Sequence, residues 1–333
     1  MDAKLDADQV NEANAGTAGP AQAGRPTQVG QPAQAEPARR GNRAVAAARL
    51  SVLSNSLLMA LKLGTGLLMG SVSVISEAIH SGMDLIAAGI ALFSVRRSAE
   101  PADERHQFGH GKVENVSGTV EALLIFVAAI WIAVEAGRRI VHGSRVESIG
   151  VGMIIMGFGS LLNFLISRYL FRVAREVDSV ALKADAMHLS TDVWTSVGVL
   201  AGLGLMWVSG QHVLDPLAAI VVAGLITHAA WELSREAFLP LLDTSLPKEE
   251  QILITEIIDR HRADFVEFHR VRSRRAGPQR HVDLHLVVHG DHTVQEAHAL
   301  CDSIEKEIQA RFPRADVLIH VEPTDPPPGS KKR

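Results

Sequence analysis

The sequence holds one cysteine, Cys301, in 333 residues. A single thiol cannot close an internal disulfide, and a metal site built from cysteines alone is excluded. Cys301 lies in a stretch that reads as an amphipathic helix, where it fits a core position better than a reactive one. There is no excess of basic charge: 33 Lys and Arg face 37 Asp and Glu, a net charge of -4. Nothing therefore points to a nucleic-acid partner. A G-x4-GK[ST] phosphate loop is missing, and so is the HExxH helix of many zinc hydrolases. No basic start runs directly into an apolar segment, so no signal peptide is expected. Large apolar residues are scarce in residues 1–42, which are rich in Ala, Gly, Pro, Gln and Asp. Such a segment cannot bury enough surface to offset its ordering entropy, and it is expected to be a disordered tail.

What is present is a sharp internal contrast. Hydrophobic residues make up 47% of the chain, yet mean hydropathy is only +0.13. That average joins a polar start, an apolar middle and a charged end. Six apolar stretches lie near Leu50–Met69, Val72–Val95, Val116–Val134, Ile149–Leu170, Val180–Val208 and Val213–Leu233. Each can supply the about 20 residues that a helix needs to cross roughly 30 Å of hydrocarbon. The second contains Glu77, His80 and Asp84, the third Glu121, and the fifth Lys183, Asp185, His188 and Asp192. A plain hydropathy scan is expected to miss the second and fifth. A large soluble protein of buried helices would need more amphipathic partners than this chain offers.

Basic residues set the orientation. Arg39, Arg40, Arg43 and Arg49 come before the first span, and Arg96, Arg97, Arg105 and Lys112 lie between the second and third. Arg168, Arg172, Arg175 and Lys183 gather where the fourth gives way to the fifth. With an even number of spans, this balance puts both termini in the cytoplasm, although Arg138, Arg139 and Arg145 in the third connection run against it. The expected location is an integral protein of the cell inner or plasma membrane.

Two of the spans carry the same pattern. "IHSGMDL" sets His80 four residues before Asp84, and "MHLSTDV" sets His188 four before Asp192. Residues four apart share one helix face. Two such helices side by side offer two imidazole nitrogens and two carboxylate oxygens. That set suits a tetrahedral first-row dication, Zn2+ above all, with Cd2+, Co2+, Ni2+ and Fe2+ as competitors. Four unpaired ionisable groups near mid-bilayer would cost on the order of 10 kcal/mol. A bound dication, or protons in its absence, offsets that. Polar glue between helices explains one such pair more easily than two of identical spacing. Glu77 and Asp185 each stand three residues before a histidine, as possible outer partners or proton carriers. The plainer readings are an interfacial Glu77 and a helix-end Asp185. Asn163 reads as an interhelical hydrogen bond, and Asp215 before Pro216 as a helix N-terminus.

"PADERHQFGHGK" between the second and third spans brings Asp103, His106 and His110 to ligand-type spacing. Beyond Leu241 the pattern becomes soluble. A helix from "PKEEQILITEIIDRHR" precedes a strand near Val266–Arg274, a "GPQ" turn and the alternating strand "QRHVDLHLVVH". A helix opened by a Thr293–Glu296 capping box and the strand "ADVLIHVEP" complete an α-β-β-α-β order. His320 and Glu322 share one face of the last strand, since side chains alternate there. The domain is also rich in histidine: His261, His269, His281, His285, His289, His292 and His298 precede His320.

These pieces together resemble the cation diffusion facilitator family of divalent-metal efflux transporters. The matching segments are His80-x3-Asp84, "FGHGK" at 108–112, "ADAMHLSTD" at 184–192, "LLDTSLP" at 241–247, "RSRRAGP" at 272–278 and the closing "VLIHVEP". The resemblance spans about residues 43–325. It implies an α-helical membrane protein with six transmembrane helices over 43–241 and a small C-terminal α+β, metallochaperone-like domain over 242–325, with 326–333 as a loose tail. It implies a transport site of His80, Asp84, His188 and Asp192, and a loop site of Asp103, His106 and His110. It further implies a binuclear cytoplasmic site of His269, His285, His298, His320 and Glu322. The last position is often aspartate in the family; glutamate still supplies an oxygen but reaches further. Lys112 and Asp243 resemble the family's interdomain charge pair, and a homodimer is the usual assembly.

The resulting expectation is a secondary transporter, not an enzyme, that exports metal in exchange for protons. Imidazole titrates near 6.5 in water, so protons can compete with metal around neutral pH. A membrane metal sensor or scaffold acting through the soluble domain stays open beside it. An intramembrane metallohydrolase is weaker, because a catalytic zinc keeps an open position that four protein ligands would fill.

Overall fold

The computed structural model describes residues 35–70, 72–142, 151–211 and 213–324. Most of the N-terminal segment and the "PPPGSKKR" tail, both expected to be loose, lie outside them. Six long helices come first: α1 (Ala35–Met69), α2 (Val72–Ser98), α3 (Lys112–His142), α4 (Val151–Val177), α5 (Val180–Ser209) and α6 (Leu214–Phe238). They coincide with the six apolar stretches but overrun them. The largest difference is at the start, where α1 begins at Ala35, inside the segment expected to be disordered. The reason is electrostatic: Arg43 pairs with Glu176 at 2.5 Å, and Arg40 donates to the Glu176 carbonyl at 3.5 Å. The basic run thus docks on the C-terminal end of α4, where cations are favoured.

Among the described residues, four helices are long and apolar enough to cross a membrane: Arg39–Leu68, Glu77–Ser98, Lys112–Val141 and Pro216–Leu242. The second span qualifies despite its charged groups, because its apolar C-terminal half compensates; among the described residues, α4 and α5 do not. The bundle is built from pairs. α1 lies along α2, α3 along α6, and α4 along α5. Buried alanines mark the interfaces, among them Ala47 and Ala48 on α1, Ala122 on α3, and Ala184 and Ala186 on α5. Small side chains let helices approach closely, which drives association where no hydrophobic effect separates protein from lipid.

After a 3-10 turn, Leu239–Leu242, the soluble part follows as α7 (Lys248–Asp259), β1 (Glu267–Ala276), β2 (Gln279–Val288), α8 (Val294–Arg311) and β3 (Ala315–Pro323). The sheet order is β1-β2-β3, with β1 and β2 antiparallel and β2 and β3 parallel. The parallel pair needs a crossover, and α8 supplies it. Val282, Leu284 and Leu286 alternate onto one face and pack against Ile254 and Ile258 of α7 and Ile304 and Ile308 of α8. Each such aliphatic side chain contributes about 1.5–3 kcal/mol when fully buried. The capping box at Thr293 and Glu296 is formed, with a bond in each direction. Cys301 packs against this core, where burial pushes its thiol up, away from reactivity.

The β1–β2 turn docks into the end of the bundle where α3 and α5 begin. Gly277 has φ 56°, and a Cβ there would meet the Gly111 carbonyl oxygen at 2.3 Å. A Cβ on Gly111 would meet the Ala276 oxygen at 2.2 Å. Only glycine at both positions allows this backbone approach. The Gly277 N–H donates to Asn115 Oδ1 at 2.7 Å, and Asn115 Nδ2 donates to the Ala237 carbonyl at 3.1 Å. Beside it, Arg275 and Arg280 both hold Asp178, at 2.5 and 2.8 Å. Asp178 has φ 62° and stands two residues before α5 begins. The soluble domain therefore grips the start of α3 and the turn before α5 directly, and reaches α6 through Asn115.

Candidate metal centres

The first centre lies between α2 and α5. Helical spacing puts His80 and Asp84 on one face of α2, and His188 and Asp192 on one face of α5; Asp84 is buried, while His80 keeps 55% of its side chain exposed. His188 Nε2 donates across to Asp84 Oδ1 at 3.1 Å. His80 Nε2 lies 3.7 Å from Asp192 Oδ1 and 3.9 Å from Asp84 Oδ1. Donor atoms of His80, Asp84 and Asp192 all fall within 4.8 Å of one another. A tetrahedral zinc with nitrogen and oxygen ligands needs donors about 3.3–3.5 Å apart. His80, Asp84 and Asp192 thus gather their donor atoms, and His188 joins them through Asp84 alone.

Three further residues shape this centre. Asn163 on α4 donates to Asp192 Oδ2 at 3.4 Å, so the interhelical bond expected of it is made to a candidate ligand. Glu77, at the edge of the second apolar span, is not free: Lys62 on α1 reaches it at 3.3 Å and also donates to Ser81 at 2.9 Å. Lys62 was not singled out from the sequence. Its signal was plain, a lysine inside an apolar span, and its partner was invisible without the α1–α2 packing. Asp185 is completely buried inside α5 and is no helix-end residue. The buried Ser51 hydroxyl of α1 is its polar neighbour. Glu121 on α3 is equally buried, with one oxygen accepting from Ser117 at 3.3 Å.

The second centre is the loop before α3. His106 Nδ1 and His110 Nε2 each stand 3.2 Å from an oxygen of Asp103, and 3.2 Å from each other. Backbone N–H groups of His106 and Arg105 donate to Asp103 at 2.6 and 2.9 Å. The His106 N–H in particular holds the Asp103 carboxyl below the usual carboxylate range. His110 is buried while the other two are exposed, so the cluster is half open to solvent.

The third centre sits on the sheet. His269 on β1 pairs in register with His285 on β2, which pairs with His320 on β3. Glu322, two residues on, reaches all three: 2.8 Å to His285 Nδ1, 3.5 Å to His269 Nε2 and 3.8 Å to His320 Nε2. The His285 hydrogen bond holds its carboxyl low. The longer reach of glutamate is what lets one carboxylate serve three imidazoles. A bulge follows His269, with Arg270 at φ 53°, and such irregularities re-aim side chains. His298 does not join them. It follows Ala297, whose face of α8 is pressed on the sheet, so helical phase turns His298 outward, 3.7 Å from Asp302. His281, expected on the open face of β2, is buried instead, edge-on to the Phe108 ring at 5.8 Å and 3.2 Å from Asp316.

Lys112 donates to Asp243 at 2.9 Å, and Arg274 adds a second bond at 3.4 Å. The Lys112 hydrogen bond pulls the Asp243 carboxyl below its ordinary range.

Comparison with known proteins gives the family. Residues 48–242 match the family described as cation efflux transmembrane domain, and residues 246–324 match the cation efflux protein cytoplasmic domain, a dimerisation domain. An uncharacterised transporter of Synechocystis sp. is 36% identical over 278 residues, 84% of this chain and 90% of the relative. The cation-efflux pump FieF of Yersinia enterocolitica is 33% identical over 282 residues, 84% of this chain and 92% of the relative. A solved structure of CzrB in its Zn form is 42% identical, covering 27% of this chain and 99% of that one at a TM-score of 0.24. With both parts of the fold matched end to end, the chain belongs to the cation diffusion facilitator family of cation-efflux membrane transporters.

Proposed function

We infer that the protein exports a divalent metal from the cytoplasm in exchange for protons, with Zn2+ the first candidate and Cd2+, Co2+, Ni2+ and Fe2+ behind it. The observation that carries this is the meeting of His80, Asp84, His188 and Asp192 between two membrane helices. The metal is the cargo. Two donors come from each helix, so any tilt of α5 against α2 opens or closes the shell. Protons compete for the same nitrogens and oxygens and relieve the buried charge once the ion has left. The Coulomb and burial costs are then lowered in both halves of the cycle. The reading takes α1–α6 as six spans, with both termini in the cytoplasm of an inner or plasma membrane. The arginine distribution supports it. The match to a dimerisation domain supports a homodimer.

The sheet cluster supports a regulatory role. His269 and His285 lie on the two strands that lead to Arg275 and Arg280, and those arginines hold Asp178 at the head of α5. Metal bound on the sheet would bias the helix that carries half of the transport site. The same cluster favours a second reading, a membrane metal sensor. Flux separates the two. In vesicles acidic inside, wild type is expected to take up zinc while the lumen turns alkaline. Binding without uptake would leave the sensor. Uptake by His80→Ala at the wild-type rate would remove the transport site from α2 and α5.

A further inference from the structure

Helices α4 and α5 pack along each other but leave a groove of about 390 Å3 between them. Phe164, Arg168 and Phe171 line it from α4, and Ser190, Trp194 and Val197 from α5. Phe164, Trp194 and Val197 are exposed, so the groove opens at the surface of the bundle. From Ser160 to Phe171 it follows eleven residues of α4, about 16 Å of helix. That is the depth of one leaflet, half of roughly 30 Å of hydrocarbon. The end nearer the soluble domain carries charge. The Arg168 guanidinium lies 5.6 Å from the centre of the Phe164 ring. Arg172 and Arg175, four and seven residues on, continue that face toward the end of α4. All three arginines are exposed. Elsewhere at this end of the bundle arginines have acidic partners: Arg43 has Glu176, Arg97 has Glu100 and Arg275 has Asp178. Among the described residues, no carboxylate pairs with Arg168, Arg172 or Arg175.

We propose that this groove binds an anionic phospholipid of the leaflet nearer the soluble domain, with its phosphate on Arg168 and Arg172 and one acyl chain along Trp194 and Val197. The charge fits. Guanidinium presents a planar fork of donors to phosphate, and basic side chains at a membrane surface attract anionic lipid. A zwitterionic lipid brings its own cation to the arginines and is the poorer match. The position gives the lipid a consequence. At 3.6 residues per turn, Ser190, Trp194 and Val197 lie about half a turn around α5 from His188 and Asp192. The lipid therefore rests on the back of the helix whose front holds two of the candidate metal donors. A tilt of α5 that changes the metal shell also changes the width of the groove, so an occupied groove favours one tilt over the other. The inference takes α4 and α5 as membrane spans, as above, and its test does not depend on transport.

Trp194 is the built-in reporter. The full chain, with Trp131, Trp207 and Trp231 replaced by phenylalanine, is placed in phosphatidylcholine vesicles. A minor fraction of the lipid is brominated along its acyl chains, either as phosphatidylglycerol or as phosphatidylcholine. The phosphatidylglycerol is expected to quench Trp194 fluorescence several-fold more than an equal fraction of the phosphatidylcholine. A chain that keeps only Trp231, exposed on α6, is expected to be quenched equally by both. Arg168→Gln with Arg172→Gln is expected to erase the preference at Trp194, while quenching by the phosphatidylcholine persists and shows that the helices still meet lipid there. Arg49→Gln, at an exposed arginine on α1, is expected to keep the preference. Equal quenching of Trp194 by the two lipids would overturn the proposal, as would an equal preference at Trp231 or a preference that survives the double substitution. Zinc uptake is read in the same vesicles. Uptake without a lipid preference refutes this site and spares the exporter; a preference without uptake supports the site and counts against export.

Discussion

The centre between α2 and α5 and the centre on the sheet both combine imidazoles with carboxylates, but only the first has a deeply buried half. Between α2 and α5, Asp84 and His188 are almost wholly buried, while Asp192 and His80 keep 23% and 55% of their side chains exposed. On the sheet, His269, His285, His320 and Glu322 all keep a fifth or more of their side chains in solvent. Water can solvate the second set when no metal is present, whereas the Asp84–His188 half of the first is closed off. In the proposed export cycle, that buried half needs an ion or protons to offset its charge. Exposure lets the sheet site load and unload with little structural consequence of its own. It needs a mechanical link to matter, and Arg275, Arg280 and Asp178 provide one.

That contrast can be broken by experiment. Asp84→Ala or Asp192→Ala is expected to lower zinc flux by roughly 100-fold or more, since even partners of ligands are worth 10–100-fold. Equal losses for His285→Ala would erase the distinction between the sites. Lys62→Met is expected to reduce flux about tenfold by freeing Glu77 and Ser81 beside His80, and Lys62→Arg to recover part of it. Glu322→Ala removes the carboxylate shared by three histidines. It should abolish zinc binding on the sheet, seen by titration calorimetry against wild type, while flux falls only several-fold. Gly277→Ala pushes a methyl into the Gly111 carbonyl at a positive φ, with an expected loss of about 1–3 kcal/mol, visible as a lower unfolding temperature. The smallest effect concerns pH. Asp243 has a depressed carboxyl pKa when folded, so its clamp on Lys112 is fully present above the usual aspartate pKa. It is lost as pH falls through the folded value. An acid titration of the Asp243→Asn variant should lack that step.

The membrane centre was legible because helical spacing needs no tertiary knowledge: residues four apart share a face wherever the helix lies. The sheet centre was half legible. His320 and Glu322 follow from strand alternation, but His269 stands beside a bulge at Arg270 that no alternation rule anticipates. His298 was drawn in by family likeness and turned out by the phase of α8, whose buried face is set by Ala297, Leu300 and Ile304. Groups that act across helices stayed hidden. Lys62 to Glu77, Asn163 to Asp192 and Arg275 to Asp178 join residues 15, 29 and 97 apart in sequence. The start of α1 was missed for the same reason, because its partner Glu176 lies on α4.

X-ray absorption at the zinc edge tests the central claim most directly, on full-length protein in which His106→Ala and His285→Ala disable the other two centres. One tightly held zinc is expected, with four nitrogen or oxygen ligands near 2.0–2.1 Å and the scattering signature of two imidazoles. A six-coordinate, water-rich shell without imidazole, or no retained zinc, would contradict a cargo site shared by α2 and α5.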